Sequence, residues 1–343
     1  MKSFSKIGKL SSEIATHTKQ SRFVGLDDDM KPVYDNTKAL PTVELFGTVK
    51  LHGTNAGVAE TEDGTLTFQS RVRVITPLSD NHGFAFFADT TAKQFKELFA
   101  FYRDKHNLSS SSLLTVFGEW AGIGMHPAVA VSKLPKSFYV FAVWVSTGGN
   151  AGYYLDMTTG AHYSNPENNM YNLWDTGMFP VYKAELDLNN PKLVQNDLIA
   201  YTDAVEEECP VAKALGVSGV GEGVVWVNRT STFRVKIKGD KHAGRSKVRK
   251  TNIVDLQKLE SVNTFVETYV TEERLNQGFN AMAELGYVNQ TETTGDFIRW
   301  VIKDVLDEES DTMLTSSLEP KAVNPSVAKK AAKWYSDRLS QIG

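Results

Sequence analysis

The amino-acid sequence predicts an α+β fold in two parts. Residues 1–240 are expected to form a body of antiparallel sheets with flanking helices, 241–250 a basic linker, and 251–343 a small all-helical domain. Three observations carry this expectation. Stretches of alternating apolar and polar residues, rich in Gly and β-branched types, dominate the first part of the chain. Apolar residues spaced by three and four take over after Lys250. At the boundary, Lys236, Lys238, Lys241, Arg245, Lys247, Arg249 and Lys250 crowd one short stretch.

In chain order, Val43 to Asn55 and Thr65 to Ile75 alternate as strands joined by tight turns. Ala92 to His106 has the spacing of an amphipathic helix. Leu113 to Gly118 and Phe138 to Val145 are continuous apolar runs of the kind found in buried central strands. Pro191 to Leu215 has helical spacing interrupted at Pro210. Val220 to Val227 and Thr232 to Ile237 read as a hairpin around Asn228-Arg229. In the second part, Asp255 to Tyr269, Glu272 to Leu285, Gly295 to Asp307 and Pro325 to Gln341 carry helical periodicity, punctuated by Gly286 and Pro320.

With 343 residues and 41% hydrophobic content the chain can bury a sizeable core. Cys209 is the single cysteine, so no internal disulfide forms, and a reducing cytoplasm is the expected setting. The longest apolar run, Phe138 to Val145, falls far short of the roughly 20 residues that cross a bilayer, so no membrane partner is expected. The net charge of -4 argues against a protein coated in nucleic acid. The basic strip can still neutralise several phosphates locally, or serve only as a solvated linker.

Lys50, in Val49-Lys50-Leu51-His52-Gly53-Thr54-Asn55, ends a predicted strand three residues before a glycine that permits a tight turn, and can project into a cleft. K-x-x-G alone arises by chance roughly once in a chain of this length. It has partners in order: Ser70-Arg71, Phe117-Gly118-Glu119, Phe138 to Phe141, Gly221-Glu222-Gly223-Val224-Val225, and Val235-Lys236-Ile237-Lys238. Lys236 and Lys238 alternate on one strand and share a face, either solvated or turned toward an anion. Glu222, between two glycines, suits a divalent-metal ligand better than a packing residue.

In this order the elements resemble motifs I, Ia, III, IIIa, IV and V of the covalent nucleotidyltransferases. That superfamily comprises ATP-dependent DNA ligases, RNA ligases and mRNA-capping guanylyltransferases. Lys50 to Asn55, Val116 to Gly122 and Phe138 to Phe141 are most similar to the RNA ligase 2 family of bacteriophages, which seals breaks in duplex RNA. Phe265 to Gly286 and Phe297 to Asp311 resemble that family's helical C-terminal domain. The resemblance implies a nucleotidyltransferase (ATP-grasp-like) domain and an ATP-dependent RNA ligase. It also implies ATP and Mg²⁺ or Mn²⁺ as cofactors, and RNA ends, duplex nicks or RNA/DNA junctions as partners. A monomer in the cytoplasm is expected, the host cytoplasm for a phage-encoded enzyme.

The resemblance also implies roles. Lys50 is the nucleophile adenylylated by ATP, which requires its unprotonated amine, and the neighbouring Lys236 and Lys238 would favour that form and stabilise charge on the phosphoryl oxygens. Glu222 would assist through the metal, and His52 would help pyrophosphate leave. Glu119 is either a surface residue at a strand end or a ribose-hydroxyl acceptor. Arg71 is either solvated or a contact to the ribose or the RNA end. Phe141 packs in a core, stacks on adenine, or does both. Asn55 is a turn residue or a phosphate contact, and Arg274 and Asp304 are exposed helix positions or groups that engage nicked RNA. Two positions depart from the family pattern: Ala142 stands where an acidic residue follows the stacking phenylalanine, and Val227 where a lysine follows the glutamate. Arg229 or Arg234 could replace that lysine. A DNA ligase or capping enzyme typically continues into a β-rich OB-fold, unlike the helices expected here; a catalytically idle RNA-binding module would not need the full lysine and glutamate set.

Overall fold

The computed structural model describes residues 1–5, 7–80, 82–149, 151–191, 193–239, 262–287, 291–315 and 318–342. It forms two compact units, Met1–Gly239 and Asp240–Gly343. The basic linker expected at 241–250 and the helix start expected at Asp255 lie outside the described residues.

The first unit is α+β. It runs α1 (Leu10–Arg22), β1 (Phe23–Leu26), β2 (Pro32–Tyr34), β3 (Thr42–Lys50), β4 (Thr54–Glu60), β5 (Leu66–Ser70), β6 (Val74–Ile75), α2 (Phe84–Thr90) and α3 (Ala92–Lys105). Then come β7 (Leu113–Ala121), β8 (Ser137–Gly148), β9 (Ala151–Tyr154), β10 (Met170–Asn172), β11 (Tyr182–Asp187), α4 (Gln195–Glu207), α5 (Pro210–Ala214), β12 (Gly223–Val227) and β13 (Arg234–Lys238). α1 and the β1–β2 hairpin were not expected. The helix buries no residue fully, so its sequence carries little amphipathic signal, although Leu10 and Ile14 pack on the main core.

Two sheets form the body. One has seven strands in the order β10-β8-β7-β4-β5-β6, with β9 added to β8; the other has four, β11-β3-β12-β13. All pairs in them are antiparallel except β10 with β8. β3 and β4 are therefore not hairpin partners, as their alternation suggested, but belong to different sheets. Leu51 to Gly53 carry the chain from one sheet to the other. Thr65 to Ile75 is not one strand either. It breaks after Ser70, whose hydroxyl accepts from the amides of Val72 and Arg73 and turns the chain into β6. The β12–β13 hairpin forms as expected, but with a longer loop closed by the Asn228 side chain, which accepts from the Phe233 amide at 3.0 Å.

The four-stranded sheet turns Leu45, Val49, Val224, Trp226, Val235 and Ile237 into a core shared with α4 and α5. The seven-stranded sheet turns Ala56, Val58, Leu114, Val116, Phe138 and Val140 against Phe84 of α2 and Phe95, Leu98, Phe99 and Tyr102 of α3. Each sheet thus turns one face to helices; the opposite faces carry Asn55 and Glu119 of the one sheet and Lys236 and Lys238 of the other, beside apolar residues such as Phe117 and Val227. Arg234 of β13 bridges them, its guanidinium 4.7 Å from the ring centre of Tyr154 in β9.

The second unit is helical: α6 (Val262–Tyr269), α7 (Glu272–Glu284), α8 (Thr294–Thr315) and α9 (Pro320–Ile342). α8 continues past Asp307, and α9 starts at Pro320 rather than Pro325, which lies inside it. Phe265, Tyr269, Leu275, Phe297, Val301, Val323 and Tyr335 form its core.

Candidate functional site

Lys50 is the last residue of β3. It lies in register with Gly223 of β12, which in turn pairs with Lys238 of β13. The row brings both lysines over Glu222. Lys50 Nζ donates to Glu222 Oε2 at 2.6 Å and to the Leu51 carbonyl at 3.2 Å, while Lys238 Nζ lies 3.3 Å from Glu222 Oε1. Glu222 is 1% exposed. Burial alone would push its carboxyl up, but Lys50, His52 and Lys238 outweigh it and hold the group well below the usual carboxylate range.

Glycines make this packing possible through close approach. A Cβ on Gly223 (φ +149°) would lie 2.1 Å from the Ile237 carbonyl oxygen. Gly53 was expected to serve a tight turn, yet its role is different: a Cβ there would lie 2.2 Å from the Trp120 carbonyl oxygen. The Gly53 amide instead donates to Glu119 Oε1 at 2.9 Å.

Asn55, Glu119 and Tyr139 form a row across β4, β7 and β8. Burial pushes Glu119 up to about 7, with Lys50 and the Gly53 amide pulling the other way. Asn55 Oδ1 is buried with no donor among the described residues. The row thus presents two acceptors that suit hydroxyl donors. Arg71, exposed just after β5, contributes to the field on Glu119.

Phe141 reaches the same face through a bulge. Phe117 pairs with Ala142 but Gly118 with Val140, so Phe141 is the extra residue of β8 and Phe141 and Ala142 share a face. The Phe141 ring meets the edge of Phe4 at 4.9 Å, and its carbonyl accepts from Trp174 Nε1 at 2.8 Å. Ala142 and Val227 are both buried in apolar surroundings, with Phe117 and Trp144 and with the α2–α3 core respectively. Arg229 is held by Glu44 and Asp156, at 2.9 and 3.7 Å. Arg234 shares its strand face with Lys236 and Lys238, lies directly opposite Val227, and stacks on Phe4 and Tyr154.

His52 Nδ1 is 4.0 Å from Glu222 Oε2, and its ring stacks on that of His126 with centroids 4.0 Å apart and 20° between planes. Burial pushes His52 down to about 3 and His126 to about 4, so both imidazoles are neutral near pH 7. His126 comes from the loop after β7, where no periodicity marks it.

The structure brings Lys50, His52, Asn55, Glu119, Glu222 and Lys238 together in the first unit, with Phe141 and Lys236 on the same two faces. Arg274 and Asp304 lie in the second unit and meet each other. Arg274 Nε is 3.1 Å from Asp304 Oδ2, Nη2 is 3.0 Å from Glu309 Oε1, and Nη1 donates to the Tyr269 carbonyl at 2.6 Å. Arg274 is 9% exposed, so the pair is an internal clamp of α7 and α8 rather than a solvated surface.

Chemically, the site offers a primary amine, a second ammonium group on the same carboxylate, that buried carboxylate, neutral imidazoles and hydroxyl acceptors. No group of three His, Cys, Asp or Glu arranged for a metal occurs among the described residues. Mg²⁺ commonly needs only one or two carboxylates beside substrate phosphates, so ionised Glu222 fits such an ion.

A family model described as RNA ligase matches residues 43–238. No match was found among curated proteins. Among solved structures the chain is similar to Naegleria gruberi RNA ligase. A mutant with ATP and Mn is 15% identical, with a TM-score of 0.43, 71% of this chain and 58% of that chain covered. A structure with PPi is 15% identical, with a TM-score of 0.40 and coverage of 71% and 58%. A mutant with AMP and Mn is 14% identical, with a TM-score of 0.40 and coverage of 72% and 58%. This chain therefore spans 58% of the length of each of those chains.

Proposed function

Because the chain belongs to the RNA ligase family, we propose that it is an ATP-dependent RNA ligase of the RNA ligase 2 type that seals 3′-hydroxyl and 5′-phosphate ends at nicks in duplex RNA. The observation that carries this reading is the Lys50–Glu222–Lys238 cluster.

In the first step the Lys50 amine bonds to the α-phosphorus of ATP, the bond to the bridging oxygen breaks, pyrophosphate leaves and the amine loses a proton. Lys236 and Lys238 stabilise the charge that builds on the phosphoryl oxygens. Glu222 would hold Mg²⁺ or Mn²⁺, which supplies further charge neutralisation at the phosphates. Glu119 accepts from a ribose hydroxyl and Phe141 stacks on the base. His52, neutral, donates a hydrogen bond to the departing pyrophosphate. In the second step an oxygen of the RNA 5′-phosphate attacks the α-phosphorus and Lys50 leaves. In the third, the 3′-hydroxyl oxygen attacks the 5′-phosphorus, AMP leaves and the hydroxyl proton passes to solvent.

Arg71 and Asn55 contact the RNA end in this reading. Arg274 and Asp304 support engagement of nicked RNA by holding α7 and α8 in place. The enzyme works as a monomer in the cytoplasm, and no described helix is long and apolar enough to cross a membrane.

Incubation with α-labelled ATP and Mg²⁺ tests the reading. Covalent label is expected on the parent chain and none on Lys50→Ala; label on Lys50→Ala would overturn it. Matched nicked RNA, nicked DNA and single-stranded RNA then test the substrate, with fastest sealing expected on nicked RNA.

A further inference from the structure

The loop between β7 and β8 is built to hold one ring in place. Ile123 donates to the Leu134 carbonyl at 2.9 Å and Met125 to the Gly122 carbonyl at 3.1 Å, closing the loop on itself. Met125 is buried, anchoring it. The Ala130 amide donates to the Val220 carbonyl at 2.9 Å, which ties the loop to the segment that delivers Glu222 two residues later. In this frame His126 adopts φ +45°, a conformation that non-glycine residues rarely take. Such a residue persists only where its surroundings over-determine it. What the conformation achieves is the parallel stack on His52, at 4.0 Å.

His52 itself follows Lys50 by two residues in the segment that crosses between the sheets. A side chain on a short crossing segment lacks the strand neighbours that fix rotamers on a sheet, and the His126 ring supplies a wall.

We propose that His126 is a positioning residue: its ring braces His52 by stacking, so that the His52 edge is aimed at the pyrophosphate that leaves the α-phosphorus as Lys50 attacks. This rests on the reading that Lys50 is adenylylated by ATP. The His126 ring also hydrogen-bonds the Gly53 backbone beside His52, but the bracing acts through the stacked ring rather than through that bond. It therefore predicts that another aromatic ring can replace His126 while a small polar group cannot.

Two rates test it on the full chain: single-turnover transfer of label from ATP to Lys50, and sealing of a nicked RNA already carrying a 5′-adenylate, which releases no pyrophosphate. His126→Ala is expected to slow labelling about tenfold or more, as small misplacements of catalytic groups do, with a smaller loss in sealing of the adenylated nick. His126→Phe is expected to recover most of the labelling rate. Equal losses in both reactions, or a His126→Phe chain as slow as His126→Ala, would overturn the proposal. If His126→Ala does not fold, His126→Asn takes its place, keeping an N–H donor without a ring; labelling at the parent rate in that variant would also overturn it. A parent chain that takes no label from ATP overturns this inference together with the proposed function. Label on Lys50 that is indifferent to His126 overturns this inference alone.

Discussion

Lys50 and Glu222, 172 positions apart in the chain, form a 2.6 Å ion pair at the end of the four-stranded sheet. The nucleophile proposed for the first step is thus held by the carboxylate proposed to bind the metal. Lys50→Arg keeps the cation and the pair but offers no free amine, because a guanidinium does not deprotonate in proteins. It is expected to fold like the parent and to take no label from ATP, checked by gel autoradiography beside thermal unfolding. Glu222→Gln keeps the shape and loses the charge; its labelling rate is expected to fall about 100-fold or more, the scale of losing one preorganised electrostatic contact.

Glu119 links stability to pH. An unfolded glutamate titrates at the ordinary value of 4.5, whereas burial raises the folded group to about 7. Below 4.5 both states hold the proton. Between 4.5 and 7 only the folded state does, so the Glu119 contribution falls as pH rises through that window and stays low above it. Glu119→Gln, which can still accept from the Gly53 amide, removes this dependence. Its melting temperature relative to the parent is expected to climb from pH 4.5 to 7 and then level off.

Gly53→Ala places a methyl group against the Trp120 carbonyl, at 2.2 Å before any relaxation. Since the obstacle is backbone, the crossing segment must shift. A loss of about 1–3 kcal/mol by denaturant unfolding is expected, together with slower labelling of Lys50, because the displaced segment carries His52 and the donor to Glu119.

Arg274→Met leaves Glu309, 3% exposed, without its cation. Breaking one side of a buried ion pair costs about 3–5 kcal/mol, so the transition assigned to the helical unit is expected to move to lower temperature. Arg274→Met with Glu309→Met is expected to recover part of the loss; a double variant no better than the single would show that the loss does not come from an unpaired Glu309 carboxylate.

Much of the site was legible because its signals are local. Lys50 ends an alternating run, Lys236 and Lys238 differ by two on one strand, and Glu222 stands between glycines. Partners across the sheet were not legible. Alternation from Val43 to Asn55 says that strands lie there but not that they join different sheets, and the bulge that turns Phe141 and Ala142 to one side depends on where β7 sits. His126 belongs to a loop, where side-chain direction follows no period. Helical spacing left Arg274 and Asp304 as exposed helix positions or groups that engage nicked RNA, and only the packing of α7 on α8 shows that they meet each other.

The short crossing from Lys50 to Thr54 also acts as a tether. Four peptide steps reach at most about 14 Å when fully extended, so the two sheets cannot part further than that at the end of the cleft where the nucleophile sits.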